Sequence, residues 1–299
     1  MTKKDKIIVT GATGHYGYAV IESLIENGVN ESMIYAMVRD YTKVEKLKSL
    51  NVNIVFGEYN NYSSMLKAFT GIDKLLFVSS DELENRSEQH IQVVNAAVAS
   101  GVKYILYTSQ EHKEVNFSLI ELILSSHLAT ENAIKASGMN YTILRNGLYM
   151  DMLPSFLGEN IFKHGIYLPA GNGKIGFALR SEMAETAAKV LISTGHKNKT
   201  YSVSGNSYSF LEIAEYISQI TGKNITYLSP SLDTFLHTVI DHGMSNKCAK
   251  MIGGYAAATR HGELESNGSQ MEKLLGRKPL SVKQYLEETF IWNFLSSVG

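Results

Sequence analysis

The chain has 299 residues, with 28 Lys plus Arg against 29 Asp plus Glu and a formal charge of -1. That balance excludes the broad basic field that holds nucleic acid by counterion release, and the single cysteine, Cys248, excludes an intrachain disulfide framework and a multi-cysteine zinc site. The opening MTKKDKIIVTGATG is basic, but its apolar run covers only Ile7 to Val9 and no apolar stretch of about 18 residues follows, so neither a leader nor a membrane span is expected and the reducing cytoplasm is the expected compartment.

In chain order, short apolar runs alternate with longer amphipathic ones. KIIVTG reads as a strand and Tyr16 to Asn27 as a helix; MIYAMVR is followed by YTKVEKLKSL, and VNIVFGEY by SSMLKAF. DKLLFVSS leads into SEQHIQVVNAAVASG, KYILYTSQ into the helical stretch 118–137, and MNYTILRNG closes the series. The strand runs are almost unbroken in Ile, Val, Leu, Tyr and Phe, as a sheet covered on both faces requires. Six such strands separated by helices predict an α/β protein of the Rossmann type, a doubly wound parallel sheet.

After Gly147 the rhythm breaks. LPAGNGKIG reads as a glycine-rich loop, and TYSVSG as one more strand returning to the sheet edge. From Ser209 onward helices dominate, with Ser209/Glu212 and Ser281/Gln284 spaced as capping boxes. The expected organisation is a nucleotide-binding domain over 1–150, joined by 181–206, and a smaller, mainly helical lobe from 151–180 and 207–299 packed over the carboxyl ends of the strands. There is no fixed-period repeat.

Function is most legible in VTGATGHYGYAV. Gly11, Gly14 and Gly17 follow a strand and open a helix, the setting in which a glycine triplet holds a dinucleotide. Gly11 permits the turn, Gly14 lets backbone approach a pyrophosphate, and Gly17 lets the helix sit close to the sheet. A mononucleotide P-loop would need Gly-Lys-Ser/Thr, which GHYG lacks. At the end of the second strand an NAD site usually carries Asp or Glu for the ribose 2′-hydroxyl. Here Arg39 stands 22 residues after Gly17, with Lys43 four residues further. Two cations there suit a 2′-phosphate, so NADP(H) is expected over NAD(H), with Asp40 as the dissenting residue.

Short-chain reductases of ketones commonly use a Tyr with Lys four residues on as the acid for a developing alkoxide. None of the 17 tyrosines has that partner. The helix that should carry the pair reads SSHLATENAIKASG, with His127 and Glu131 spaced i, i+4 on one face. The acceptor must then stabilise charge by itself, as a quinone or a cationic dye does, or take a proton from His127 or solvent; His127 is expected to titrate near neutrality and hold a substrate oxygen. TSQEH and RNGLYM follow the fifth and sixth strands, where open α/β sheets bind ligands. Thr108 and Ser109 are expected under the nicotinamide, with Asn146, Gly147 and Tyr149 beside the ring and, for Asn146 and Tyr149, beside an aromatic substrate. The nine histidines form no metal spacing, and no metal is expected.

TGATGHYG, MVRDYTKVEKL, GEYNN, KLLFVSS, EQH, GVKYILYTS, HLATENAIKASGMNYTILRNGLY and GHKNKTYSVSG together resemble the NmrA-like atypical short-chain dehydrogenase/reductase family, in its branch of bacterial quinone and triphenylmethane-dye reductases. HLATE in place of the Tyr/Lys pair is itself a mark of that branch. The likeness runs from residue 6 to about 222, and KLLGRKPLSVKQYLEETF is still family-like. It implies an NADPH-binding Rossmann domain with a small lobe and two-electron reduction of quinones or dyes. It carries cofactor contacts onto Gly11, Thr13, Gly14, His15 and Gly17, onto Arg39 and Lys43, onto Ser79, Ser80, Asp81 and Glu82, and onto Asn146 to Tyr149. Leu148 and Ser181 depart from a larger aromatic and an Asp in relatives. The same superfamily holds members that bind the dinucleotide without turning it over and regulate a partner protein, the alternative class. Monomer and homodimer are both compatible with the sequence.

Overall fold

A computed structural model describes residues 5–82, 84–113, 120–158 and 160–288. Strands β1 (Ile7–Val9), β2 (Ile34–Val38), β3 (Asn53–Phe56), β4 (Lys74–Phe77), β5 (Tyr104–Gln110) and β6 (Asn140–Asn146) fall on the six apolar runs read from sequence. Three short strands follow, β7 (Leu148–Tyr149), β8 (Ile166–Tyr167) and β9 (Lys174–Ala178), then β10 (Lys199–Val203), β11 (Ser207–Ser209) and β12 (Tyr227–Leu228). The main sheet has seven parallel strands in the order β10-β6-β5-β4-β1-β2-β3. TYSVSG does return to the edge, as β10 beside β6. The central strands are buried on both faces over most of their length, as with Ile105, Leu106 and Tyr107 of β5, whereas the edge strand β3 leaves Phe56 exposed.

The helices in chain order are α1 (His15–Glu26), α2 (Glu45–Lys48), α3 (Tyr62–Phe69), α4 (Arg86–Ala99), α5 (Glu121–Ala136), α6 (Leu153–Leu157), α7 (Ile161–His164), α8 (Arg180–Ile192), α9 (Phe210–Thr221), α10 (Leu232–Asp241), α11 (Asn246–Arg260) and α12 (Ser269–Leu275). YTKVEKLKSL yields only the single turn of α2, because Asp40 starts a separate 3-10 turn over Tyr41–Lys43. Side chains of α1, α8 and α12 form one apolar layer with the sheet through Val20, Ile21, Ala184, Ala187, Met271 and Leu275. Met65, Phe69, Val93, Ala97 and Ile134, from α3, α4 and α5, form the layer on the opposite face. α12 thus lies against the sheet domain, although its residues fall in the stretch the sequence reading gave to the smaller lobe.

The third apolar cluster gathers Phe156, Phe177, Phe210, Phe235 and Tyr255 from α6, β9, α9, α10 and α11. This lobe is mainly helical but carries a three-stranded sheet, β11-β9-β7, and the pair β12-β8. Both halves of the Ser209/Glu212 capping box close, and the Ser281/Gln284 pair closes in the same way. The lobe meets the carboxyl end of β5: Tyr255 Oη donates to Gln110 Oε1 at 3.3 Å, and the Lys113 amide donates to the Glu263 carbonyl at 2.9 Å.

Chain order reverses at β1. The path runs β1, β2, β3 to one side and resumes with β4 on the other, so the carboxyl ends of β1 and β4 part over a crevice.

Candidate active site

That crevice is a cavity of about 490 Å³. Its floor is the glycine turn. Gly11 has φ +60°, a conformation that side chains rarely adopt, and a Cβ on Gly17 would lie 2.4 Å from the Gly11 carbonyl oxygen. Gly14 caps α1 without a side chain, and the first turn of that helix holds no carboxylate, so its unpaired N–H groups and positive end face the cavity uncompensated.

Of the residues expected to hold a cofactor, Gly11, Thr13, Gly14, His15, Gly17, Arg39, Ser79, Ser80, Asp81, Glu82 and Tyr149 all line this cavity. Arg39 marks one end. Asp40 points away from it: its Oδ1 accepts from the Thr42 amide at 2.8 Å and the Thr42 hydroxyl at 2.6 Å, and these bonds hold the carboxyl below the usual carboxylate range. The dissenting carboxylate therefore caps its own turn. Lys43 is exposed on that turn and outside the cavity wall.

Four expected residues stand behind the lining. The Thr108 hydroxyl accepts from the Ser79 amide at 2.9 Å and so positions a lining residue. Ser109 donates to Glu131 at 2.7 Å instead of facing the cavity. Gly147 is a packing position: its amide bonds the Val203 carbonyl, and a Cβ there would come within 2.3 Å of Ser204 Oγ. The buried Asn146 carboxamide neighbours the Tyr16 and Tyr149 side chains, whose hydroxyl pKa values burial raises, and neither of its polar atoms completes a hydrogen bond.

His127 departs furthest from expectation. It is 3 % exposed. Its Nε2 lies 3.1 Å from Arg86 Nη2, which can only donate, so Nε2 carries the lone pair and Nδ1–H donates to Tyr107 Oη at 2.8 Å. His90 repeats the pattern. Its Nε2 accepts from the Ser80 amide at 3.1 Å, leaving Nδ1–H for Thr130 Oγ1 at 2.9 Å. Burial, with the Arg86 charge beside both rings, pushes the His127 pKa well below its ordinary value and that of His90 down to about 3. The expectation that His127 titrates near neutrality is corrected: both rings are neutral, with every nitrogen engaged. Nor does His127 meet Glu131, which forms a two-pronged ion pair with Arg145 at 3.0 and 2.8 Å and sits 3.3 Å from Lys135. Those hydrogen bonds outweigh burial and keep Glu131 below its ordinary value.

The structure adds residues that sequence reasoning left unassigned. Glu58, Tyr59 and Asn60, in the GEYNN stretch after β3, line the cavity near Arg39, and Tyr59 Oη bridges Thr10 Oγ1 and the Val78 carbonyl at 2.5 and 2.7 Å. Arg180 lines the opposite end, its guanidinium 4.6 Å from the centre of the Tyr149 ring and 3.4 Å from Asp151. Nothing in the sequence marks Arg180, because it joins the site only through the strand pair β7-β9. Among the described residues five buried side-chain polar atoms lack a hydrogen bond, and four of them belong to Arg86, Asn146 and Arg180. Of the three residues only Arg180 lines the cavity; Arg86 and Asn146 stand behind its wall, around Tyr149, and unsatisfied buried groups so placed are costly and rare. Among the described residues no His/Cys/Asp/Glu group could hold a metal, and no helix is long and apolar enough to cross a membrane.

Seven parallel strands, a glycine turn at the end of the first and a cavity at the switch point define the Rossmann-type doubly wound class. Within it, the chain belongs to the NmrA-like family, which matches residues 3–286. It is 32% identical over 289 residues to quinone oxidoreductase 2 of Escherichia coli, covering 95% of this chain and 98% of that one. Two solved structures superpose closely. One is the Citrobacter triphenylmethane reductase complexed with NADP(H), with TM-score 0.87, 35% identity and coverage of 94% and 99%. The other is the NADPH-dependent quinone oxidoreductase of E. coli complexed with NADPH, with TM-score 0.87, 32% identity and coverage of 95% and 99%.

Proposed function

We propose that this protein is an NADPH-dependent oxidoreductase that passes hydride to a quinone or a similar aromatic acceptor. The observation that carries the reading is the single cavity joining the uncapped glycine turn, with Arg39 at one end, to Tyr149 and Arg180 at the other. The quinone and dye reductases that share the fold at over 30% identity support it.

The cradle fits the cofactor. Backbone amides from Gly11 to Gly17 would hold the pyrophosphate where any side chain would intrude. Arg39, with Asp40 turned away, would hold the 2′-phosphate, and Ser79 to Glu82 would run beside the ribose and nicotinamide. When bound, NADPH supplies a hydride at its nicotinamide ring.

The protein's own contribution is position and charge. Among the described residues, no side chain at this end offers an acidic proton at neutral pH. His127 and His90 are neutral with their N–H bonds committed, and burial raises the hydroxyls of Tyr107, Tyr149 and Tyr255 above the ordinary phenol value. The acceptor must tolerate charge on its own oxygen until water protonates it, which quinones do and simple ketones do not.

The test follows the near-ultraviolet absorbance of reduced nicotinamide with purified protein, a small quinone and NADPH or NADH. Quinone-dependent oxidation that is faster with NADPH is the expected result. Tight NADPH binding without oxidation, across several quinones and dyes, would overturn it in favour of a nucleotide sensor.

A further inference from the structure

Arg86 is the first residue of α4 and is 6 % exposed. Among the described residues it forms no ion pair with a carboxylate, and its one hydrogen bond goes to a neutral histidine. Its Nε has no partner. A buried cation without a counter-ion is costly, and its place at the positive end of a fourteen-residue helix makes the local potential more positive still. Burial accordingly lowers its pKa, the direction expected of a cation short of negative charge.

The surroundings say where that missing charge would come from. Arg86 is within electrostatic reach of Asp81 and Tyr149, which line the cavity, and of Tyr255 from the smaller lobe. It therefore stands at the end away from Arg39, where the sheet domain meets the lobe. Tyr149 and Tyr255 give that place aromatic walls, while the unpaired Asn146 amide lies against Tyr149. An aromatic ring carrying an anionic oxygen satisfies each of these features together.

We propose that Arg86 receives the oxygen of the hydride acceptor, so that the site favours quinones and related aromatic carbonyl compounds and disfavours cationic dyes. This rests on the reading of the site as a pyridine-nucleotide oxidoreductase. In the step, the C–H bond of the dihydronicotinamide breaks as its hydride forms an O–H bond at one carbonyl oxygen of the quinone, and the dihydronicotinamide is oxidised to nicotinamide. The quinone is reduced by two electrons, its ring becomes aromatic as the electron pair of the opposite carbonyl moves onto that oxygen, and the hydroquinone anion so formed lies with that oxygen against the Arg86 guanidinium. A proton from water completes the hydroquinone. A charge that appears only as the reaction proceeds is the kind a fixed cation stabilises most usefully. A cationic dye instead brings a like charge to a buried guanidinium and loses its charge only on reduction, so Arg86 opposes its binding.

The experiment is calorimetric titration of the protein without nucleotide. The probes are lawsone, a hydroxynaphthoquinone ionised at neutral pH, and menadione, a neutral naphthoquinone. The wild-type protein is expected to prefer lawsone by about tenfold, the worth of one hydrogen bond to a charged group. Arg86→Gln should erase that preference, lowering lawsone affinity at least about fivefold more than menadione affinity, and Arg86→Lys should keep part of it. Equal affinities in the wild type, or equal losses for both probes in Arg86→Gln, would overturn the proposal. Should the variants not fold, nitrate titrated into the wild-type protein must weaken lawsone and spare menadione, and indifference to nitrate counts against it. The two readings fail separately. Arg86-dependent lawsone binding without NADPH oxidation leaves the anion pocket and removes the reductase, whereas NADPH oxidation with lawsone indifferent to Arg86 does the reverse.

Discussion

Mild acid should destabilise this protein through two histidines. His90 and His127 are buried and neutral in the folded state, with both pKa values depressed, whereas in the unfolded chain a histidine titrates near about 6.5. The unfolded state therefore binds more protons below that value, so the stability these neutral rings contribute is present above about pH 6.5 and is lost as pH falls towards the folded values. At about pH 5.5 the protonated form of each unfolded histidine outnumbers the neutral form about tenfold, which is about 1.4 kcal/mol per ring and about 2.8 kcal/mol for the pair. Glu131 and Glu185, both held below their ordinary value, lose stability only once unfolded carboxylates begin to protonate near about pH 4.3, and Glu111, raised by burial, acts in the opposite sense. The window from about pH 7 to 5.5 is therefore dominated by histidine, with the half-buried and likewise depressed His196 adding a smaller share. Urea unfolding followed by circular dichroism across that window measures the slope, and His127→Gln should reduce it by close to one proton. A flat profile, or a slope unchanged in His127→Gln and in His90→Gln, would refute the neutral, fully engaged pair and restore His127 as a titrating group.

Arg39→Ala should weaken NADPH about 10- to 100-fold and NADH little, since a charged hydrogen bond is worth about 1.5–3 kcal/mol; equal losses in fluorescence titration would remove the 2′-phosphate assignment. Gly17→Ala places a Cβ 2.4 Å from the Gly11 carbonyl and should cost about 1–3 kcal/mol of stability together with nucleotide affinity. Thermal melting with and without NADPH reads both, and a neutral outcome would mean the turn is not close-packed. Glu131→Ala removes the two-pronged partner of Arg145, whose side chain is 25% exposed and still feels Glu111, and should cost about 1–3 kcal/mol. A stability change below the error of urea unfolding would show the pair to be ornamental. Crystal violet should be reduced more slowly than menadione under matched conditions, and the opposite order would contradict an anion-seeking acceptor end.

The fold class and the nucleotide end of the site are legible in the amino-acid order alone, because both rest on local chemistry. Apolar runs of strand length, separated by amphipathic helices, can be buried only as a covered parallel sheet. The spacing of Gly11, Gly14 and Gly17 is readable because its purpose is steric and lies within one turn. Arg39 was legible for a similar reason: the strand places its end beside that turn whatever the rest of the chain does. The capping boxes at Ser209 and Ser281 were equally local.

The acceptor end becomes legible once the chain is folded. The i, i+4 spacing of His127 and Glu131 puts them on one helix face but says nothing of what packs there. Arg86 from α4 and Tyr107 from β5 claim the histidine, and Arg145 from β6 claims the carboxylate. Asp40 could have turned to the ribose, and only the position of Thr42 shows that it caps its own turn. Arg86 and Arg180 carry no motif at all. Their meaning comes from what surrounds them in space, a buried charge without its partner and a guanidinium laid over Tyr149. The burial of a group and the identity of its partners are set by contacts far apart in the chain, and those two quantities fix the charge each side chain holds.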